Sequence, residues 1–203
     1  MKRTAFTYAL SAASILALSS CKMRTPRQES WQNPAFKEYK LGKTLVLATA
    51  DSESRCMQYE ALFVNQLLAY VDAGSLHASE QVTGKIDKDN LERILKANAV
   101  ETLIVTSVLD GTSRDELVAI GYEAHPYSND YWGYYNYGYA LSANFASVSS
   151  YMEYVLETNV YDVKTKKLVW SGRKSIFDDR SDPDNMKIII NAVVHELKRK
   201  NMF

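Results

Sequence analysis

The chain is poor in the residues that usually carry chemistry or cross-links. Two cysteines, three histidines, eight glycines and four prolines occur among 203 residues. There is no Cys-x-x-Cys pair, no Gly-x-Ser-x-Gly and no glycine loop of the kind that cradles phosphate. His77, His125 and His195 are scattered, and His195-Glu196 is followed by Leu-Lys-Arg instead of reaching a second histidine. A zinc helix, and any metal or cofactor, is therefore not expected. Charge of one sign is also missing: 24 basic residues stand against 24 acidic ones, which removes the basic excess of nucleic-acid binders. No apolar run approaches the roughly 20 residues that a membrane-spanning helix needs. These absences argue against an enzyme. An uncharacterised hydrolase with its site dispersed along the chain is the alternative, because catalytic groups need not be close in sequence.

What is present begins with an address. Lys2 and Arg3 precede a short apolar stretch, Ala5 to Leu18, broken by serines. A charged start, a short apolar centre and small residues at its end describe an export signal over residues 1–20. The signal closes on Leu18-Ser19-Ser20-Cys21, which resembles the lipobox of bacterial lipoproteins. The resemblance implies that Cys21 receives a lipid through its thiol, a nucleophile no other side chain replaces near neutral pH. At least two acyl chains then give a durable membrane anchor. Lys22 stands where Asp would favour retention at the inner membrane. The class therefore implies an outer-membrane location facing the periplasm. With Cys21 lipidated, Cys56 has no partner for a disulfide. It is expected to be buried and inert, and the alternative is a reactive thiol.

Residues 21–42, with two prolines and no hydrophobic period, read as the lipidated cysteine and a tether. Residues 43–203 read as one domain. Lys43–Ala50 is a buried strand. A helix capped by Asp51 or Ser52 follows, with Met57, Ala61, Leu62, Leu68 and Val71 as its apolar face. Leu76–Val82 is a weaker strand. A helix from Asp87 to Asn98 carries Leu91, Ile94 and Leu95, and Thr102–Leu109 is a third strand. This β-α-β-α-β order predicts an α/β fold with a mixed sheet, α+β being the alternative. Glu116–Tyr122 reads as another strand and 122–149 as an irregular insertion. Tyr151–Asp162 alternates cleanly: Met152, Tyr154, Leu156, Thr158 and Val160 share one face. Tyr151, Glu153, Glu157 and Asn159 share the other, expected to face water. Lys164–Lys167 turns the chain into a partner strand, Leu168–Phe177. Ser181 or Asp182 caps a last helix with Pro183 in its first turn and Met186, Ile189, Ile190, Val193 and Leu197 as its stripe.

The hairpin Glu157–Gly172, ETNVYDVKTKKLVWSG, resembles that of a set of small bacterial lipoproteins whose domain has no assigned function. They share a Tyr-Asp…Leu-Val-Trp-Ser hairpin followed by a helix. Leu103–Val108 also resembles a strand of that set. The fold implied is similar to the N-terminal domain of TolB and to the periplasmic domain of the curli secretion lipoprotein. The set frequently has glycine in the turn where Lys166 stands. Lysine costs about 1 kcal/mol in a left-handed conformation, so the turn is expected to differ in type. In physical terms the motif is a packing device. Tyr161 and Trp170 are aromatics on paired strands, and Asp162 can hydrogen-bond the turn backbone. A ligand role for the three is the alternative.

The segment Tyr122–Tyr139, YEAHPYSNDYWGYYNYGY, is the most unusual in composition. Tyr127, Tyr131, Trp132, Tyr134, Tyr135 and Tyr137 have the apolar bodies and polar tips favoured at interfaces. Two readings stand: a binding loop for an envelope protein or glycan, and a biased surface segment with no partner. Asp178, Asp179, Asp182 and Asp184 precede the last helix. Capping explains them better than a calcium loop, since Pro183 breaks the required spacing. The sequence thus leads to a membrane-anchored, non-catalytic binding module of the envelope. A structural component that self-associates into a homo-oligomer, through a sheet edge or the aromatic segment, is the second reading.

Overall fold

The computed structural model describes residues 28–50, 52–79, 82, 85–110, 130–142, 153–177 and 182–203. The expected signal, Leu18, Ser19, Ser20 and Cys21, the strand at Glu116–Tyr122, and Asp178 and Asp179 lie outside these residues.

The fold is α/β, built on a mixed six-stranded sheet in the order β1-β6-β5-β4-β2-β3. The strands are β1 (Gln28–Gln32), β2 (Thr44–Thr49), β3 (Ala73–Ser75), β4 (Thr102–Asp110), β5 (Glu153–Asp162) and β6 (Lys167–Phe177). β2 runs parallel to β3 and β4, and the remaining pairs are antiparallel. The helices are α1 (Glu53–Leu67), α2 (Leu76–Ser79), α3 (Lys88–Ala97), α4 (Tyr131–Ser142) and α5 (Asp182–Arg199).

Local chemistry sets the helix ends. Ser52 accepts from the Arg55 N–H and Asp87 from the Asn90 N–H, capping α1 and α3. Past α5, Asn201 takes φ 54°, which brings the Met202 N–H to the Leu197 carbonyl at 3.0 Å. Asparagine tolerates this left-handed position better than most residues. The expected stripe of α5 is in place: Ile189, Ile190, Val193 and Leu197 are buried.

Every residue of β2 is buried, because helices cover both sheet faces. Val46, Ala48, Ile104, Val160, Trp170 and Ile176 meet α1 and α5 on one face. Leu45, Leu47, Leu103, Val105, Tyr161 and Leu168 meet α3 and α4 on the other. That second face overturns one expectation. Glu157 and Asn159 do not face water; both are fully buried.

Other expectations are corrected as well. Gln28–Gln32, assigned to the tether, is an edge strand bonded to β6. Leu76–Val82 does not begin as a strand; β3 ends at Ser75 and Leu76 opens a short helix. The buried face of α1 is Cys56, Tyr59, Glu60, Phe63 and Leu67, while Met57 and Leu68 are exposed. The helix has apolar residues on two faces, and a carboxylate within the true one disguised it. Residues 131–142, expected to be irregular, are helical.

The hairpin is also rearranged in detail. A register shift between Val160 and Tyr161 pairs Val160 with Trp170 and Tyr161 with Leu168. Tyr161 and Trp170 therefore bury into opposite faces and are not cross-strand partners. Asp162 accepts from the Thr165 backbone at 2.9 Å, as its place before the turn implies. Lys166 takes φ 60°, so the turn keeps the conformation glycine would supply.

Gly172 lies under the Trp170 indole: a Cβ there would sit 2.2 Å from Cη2 and 2.6 Å from Cζ2. Gly172→Ala is expected to destabilise the domain by about 1–3 kcal/mol, the usual range for overpacking. The midpoint of urea unfolding, followed by tryptophan fluorescence, measures it.

Candidate functional site: the aromatic helix and the buried polar clusters

α4 carries most of the residues singled out by composition. Asp130 opens it by accepting from the Gly133 N–H at 3.1 Å. Spacing then divides its aromatics into two sets. Tyr131, Tyr134 and Tyr135 are buried against the sheet and α3, while Trp132, Tyr137 and Tyr139 are half-buried. Tyr127 lies outside the described residues. The buried set belongs to the core and is not free to form a binding surface. What remains for a partner among the described residues of this segment is Trp132, Tyr137 and Tyr139.

Each buried phenol also performs polar work. Tyr134 donates to the Glu157 carbonyl at 3.1 Å, and Tyr135 accepts from the Ile86 N–H at 2.8 Å. Tyr131 reaches Glu92 at 3.4 Å, and the same carboxylate takes Lys166 at 2.7 Å. One glutamate on α3 thereby ties α4 to the β5–β6 turn. The helix sits close because Gly138 has no side chain. A Cβ there would lie 2.3 Å from Ser107 Oγ and 2.5 Å from Thr49 Oγ1.

Beneath α4, Glu157 accepts from Asn159 Nδ2 at 3.0 Å and from Arg173 Nε. The carboxylate is fully enclosed and the guanidinium only partly so. Burial, and then the Glu157 charge, push the Tyr134 and Tyr161 phenols well above their ordinary value. On the other face, burial pushes Tyr59 up to about 12, although its hydroxyl donates to Thr106 at 3.3 Å.

A second cluster went unnoticed in the sequence. Glu60, at the centre of α1, accepts from the Ala48 N–H at 2.8 Å, Ser75 Oγ at 2.6 Å and the His77 N–H at 3.0 Å. His77 Nδ1 lies 2.6 Å from Oε1 of the same carboxylate. Both side chains are fully buried. Serine, histidine and glutamate together suggest a nucleophile with its base, but the order is wrong. Ser75 donates to the carboxylate and not to the imidazole, so the imidazole is not placed to take its proton. The carboxylate acts as a clamp joining α1, β2, β3 and α2. The only linear signal was a glutamate at positions shared with Cys56, Tyr59 and Phe63 on one helical face.

Among the described residues no group of His, Cys, Asp and Glu is arranged to hold a metal ion, and no helix is long and apolar enough to cross a membrane. A shallow cleft lined by Glu29, Trp170, Gly172, Arg173, Lys174 and Ile189 has room for little more than a water molecule. Cys56 is buried, as expected.

Three outcomes follow for this site. Glu60→Ala strands several buried donors and is expected to cost about 3 kcal/mol or more, read from urea unfolding. Gly138→Ala is expected to cost about 1–3 kcal/mol and to raise tyrosine exposure as α4 lifts. For pH, the buried phenols have folded values above their unfolded value of about 10. Their stabilising contribution is therefore complete below pH ~10 and is lost as pH rises from there through about 12, the value for Tyr59. The urea midpoint should fall over that window, and less steeply in Tyr59→Phe. Tyrosinate absorbance that grows near pH 10 only in proportion to the exposed phenols is the accompanying sign.

No protein-family model matches the chain, and no curated protein matches it. Among solved structures it is similar to a PelC dodecamer from Paraburkholderia phytofirmans, with a TM-score of 0.48 and 12% identity over 83% of this chain and 96% of that one. A second crystal form of that dodecamer gives a TM-score of 0.44 and 10% identity over 82% and 92% of the two chains. Lipoprotein GNA1162 from Neisseria meningitidis gives 0.41 and 12% over 78% and 99%. At these scores the likeness decides nothing about function.

Proposed function

We propose that this chain is a lipid-anchored envelope protein without catalytic activity, whose domain serves as a binding module at the membrane surface, in the outer membrane facing the periplasm. The observation that carries the reading is Leu18-Ser19-Ser20-Cys21 at the end of a short apolar export signal. A thiol at that place is what lipid attachment requires, and two acyl chains hold a protein durably. The half-buried Trp132, Tyr137 and Tyr139 on α4 supply the aromatic surface for a protein or glycan partner.

A second reading is favoured by a separate observation. Leu68 and Tyr70 are exposed at 57% and 43%, with the Tyr70 ring beside that of Phe203, an apolar surface suited to self-association. Concentration-dependent mass in light scattering would favour it; a constant monomer would remove it.

Metabolic labelling with a radioactive fatty acid is expected to mark the chain. Cys21→Ser is expected to abolish the label and to shift the protein from the membrane to the soluble fraction. Label that persists in Cys21→Ser would overturn the anchor. For the binding surface, a photo-crosslinking residue at position 137 is expected to give one discrete adduct in cells. Position 134, buried in the core, serves as the control that should give none.

A further inference from the structure

β1 fixes where the chain enters the domain. Its register on β6 runs from Gln28 opposite Lys174 to Gln32 opposite Trp170. Lys174 pairs with Leu156, which pairs with Val108. Entry is therefore at one end of the sheet, level with the last turns of β4 and β6. The next rung, Glu29–Arg173–Glu157–Ser107–Thr49, leads straight into the N-terminus of α1.

The opposite end of the sheet is the rung Thr44–Thr102–Asp162–Lys167. The strand from Leu156 to Asp162 advances about 20 Å between the two. Past this far rung lie the C-terminal ends of α1 and α5. Leu68 and Tyr70 are exposed there, the Tyr70 ring lies 4.6 Å from that of Phe203, and Lys198 Nζ sits 4.2 Å from the Tyr70 ring centre. An apolar patch with aromatics and a cation would suit a lipid interface by composition alone.

Chain length decides against that. Residues 22–27 are all that separate Cys21 from Gln28. Fully extended they reach about 25 Å, and as a flexible chain about 15 Å. Bringing the far patch to the lipid would hold this segment near full stretch and cost its conformational freedom. With the entry end down, no such cost arises.

We infer that the domain stands on its lipid surface with the Gln28 end of the sheet and the start of α1 facing the bilayer, and the Leu68–Tyr70–Phe203 patch facing away into the aqueous phase. This rests on lipid attachment at Cys21. The patch then meets water or a protein partner, not acyl chains, in spite of its composition.

The test uses the full lipidated chain in vesicles of phosphatidylethanolamine and phosphatidylglycerol carrying acceptor dyes on their headgroups. A donor is placed at Ser54→Cys, near the start of α1, or at Asn201→Cys, beyond α5; both sites are exposed. The unaltered chain, whose Cys56 is buried, is the labelling blank. Energy transfer is expected to be roughly twofold or more stronger from 54 than from 201, given ends about 20 Å apart. A flexible Gly-Ser insertion between residues 22 and 27 should narrow the difference. Equal transfer, or stronger transfer from 201, would overturn the orientation, as would quenching of a dye at Leu68→Cys by lipid-borne quenchers. Flotation with the vesicles is scored separately: a chain that does not float, or that floats equally well as Cys21→Ser, fails at the anchor itself and takes the orientation with it.

Discussion

The central strands have no wet face, and the rest of the molecule answers to that constraint. A strand buried on both sides must be apolar throughout or must satisfy its polar groups internally. β2 is apolar from Leu45 to Ala48 and satisfies the threonines at its two ends, Thr44 donating to the Gly42 carbonyl and Thr49 to Ser107 Oγ. β5 carries polar groups on the face under α4, where the enclosed Glu157 carboxylate accepts from Arg173 and from Asn159 Nδ2. The aromatic helix exists to close that face. A phenol suits the task better than a leucine because its ring fills volume while its hydroxyl reaches a carbonyl or carboxylate. Tyr131 and Tyr134 do this, Tyr135 instead accepts from the Ile86 N–H, and the seating depends on Gly138 leaving room for Thr49 and Ser107.

The other face follows the same logic with different groups. α5 supplies aliphatic cover and α1 mixed apolar cover with Tyr59, Phe63 and Leu67, and Glu60 gathers donors from β2, β3 and α2 at one buried carboxylate. This is a costly way to hold a helix, since each oxygen must be fully satisfied. In return it fixes the parallel edge, where β3 contributes only three residues and backbone pairing alone would hold little.

These particulars explain what the sequence could and could not tell. Elements with one clean period were legible: α3 with its Asp87 cap, α5 with its stripe, and the β5–β6 hairpin. α1 was placed but turned to the wrong face, because Glu60 is buried while Met57 and Leu68 are exposed, the reverse of what polarity suggests. The face of β5 was misjudged for the same reason: Glu157 and Asn159 look solvated until a helix covers them. α4 was invisible because Gly133, Asn136 and Gly138 lower its helix propensity, and only packing against the sheet offsets that. β1 sits in a stretch with prolines and charges, and its strand character comes from an open edge on β6, a property of the fold and not of its five residues. Nothing in the described residues bears on the signal and lipobox, which stand on the sequence alone.

The seam between β1 and β6 has a mechanical meaning for an anchored protein. A chain held at Cys21 with the Gln28 end down would pull β1 along its own axis, so the β1–β6 pairs from Gln28 to Gln32 are loaded in shear and share the force. Asn33 marks the stop: its backbone and side chain hold the Val169 and Leu168 carbonyls at 2.9 Å each. Ser30 adds a bond to Glu196 of α5 at 3.0 Å and Trp31 packs against the opposite layer, so the strand cannot leave without disturbing both helical layers. The edge strand is therefore a clasp, which would hold its length under load and let go only together with the layers it is bonded to.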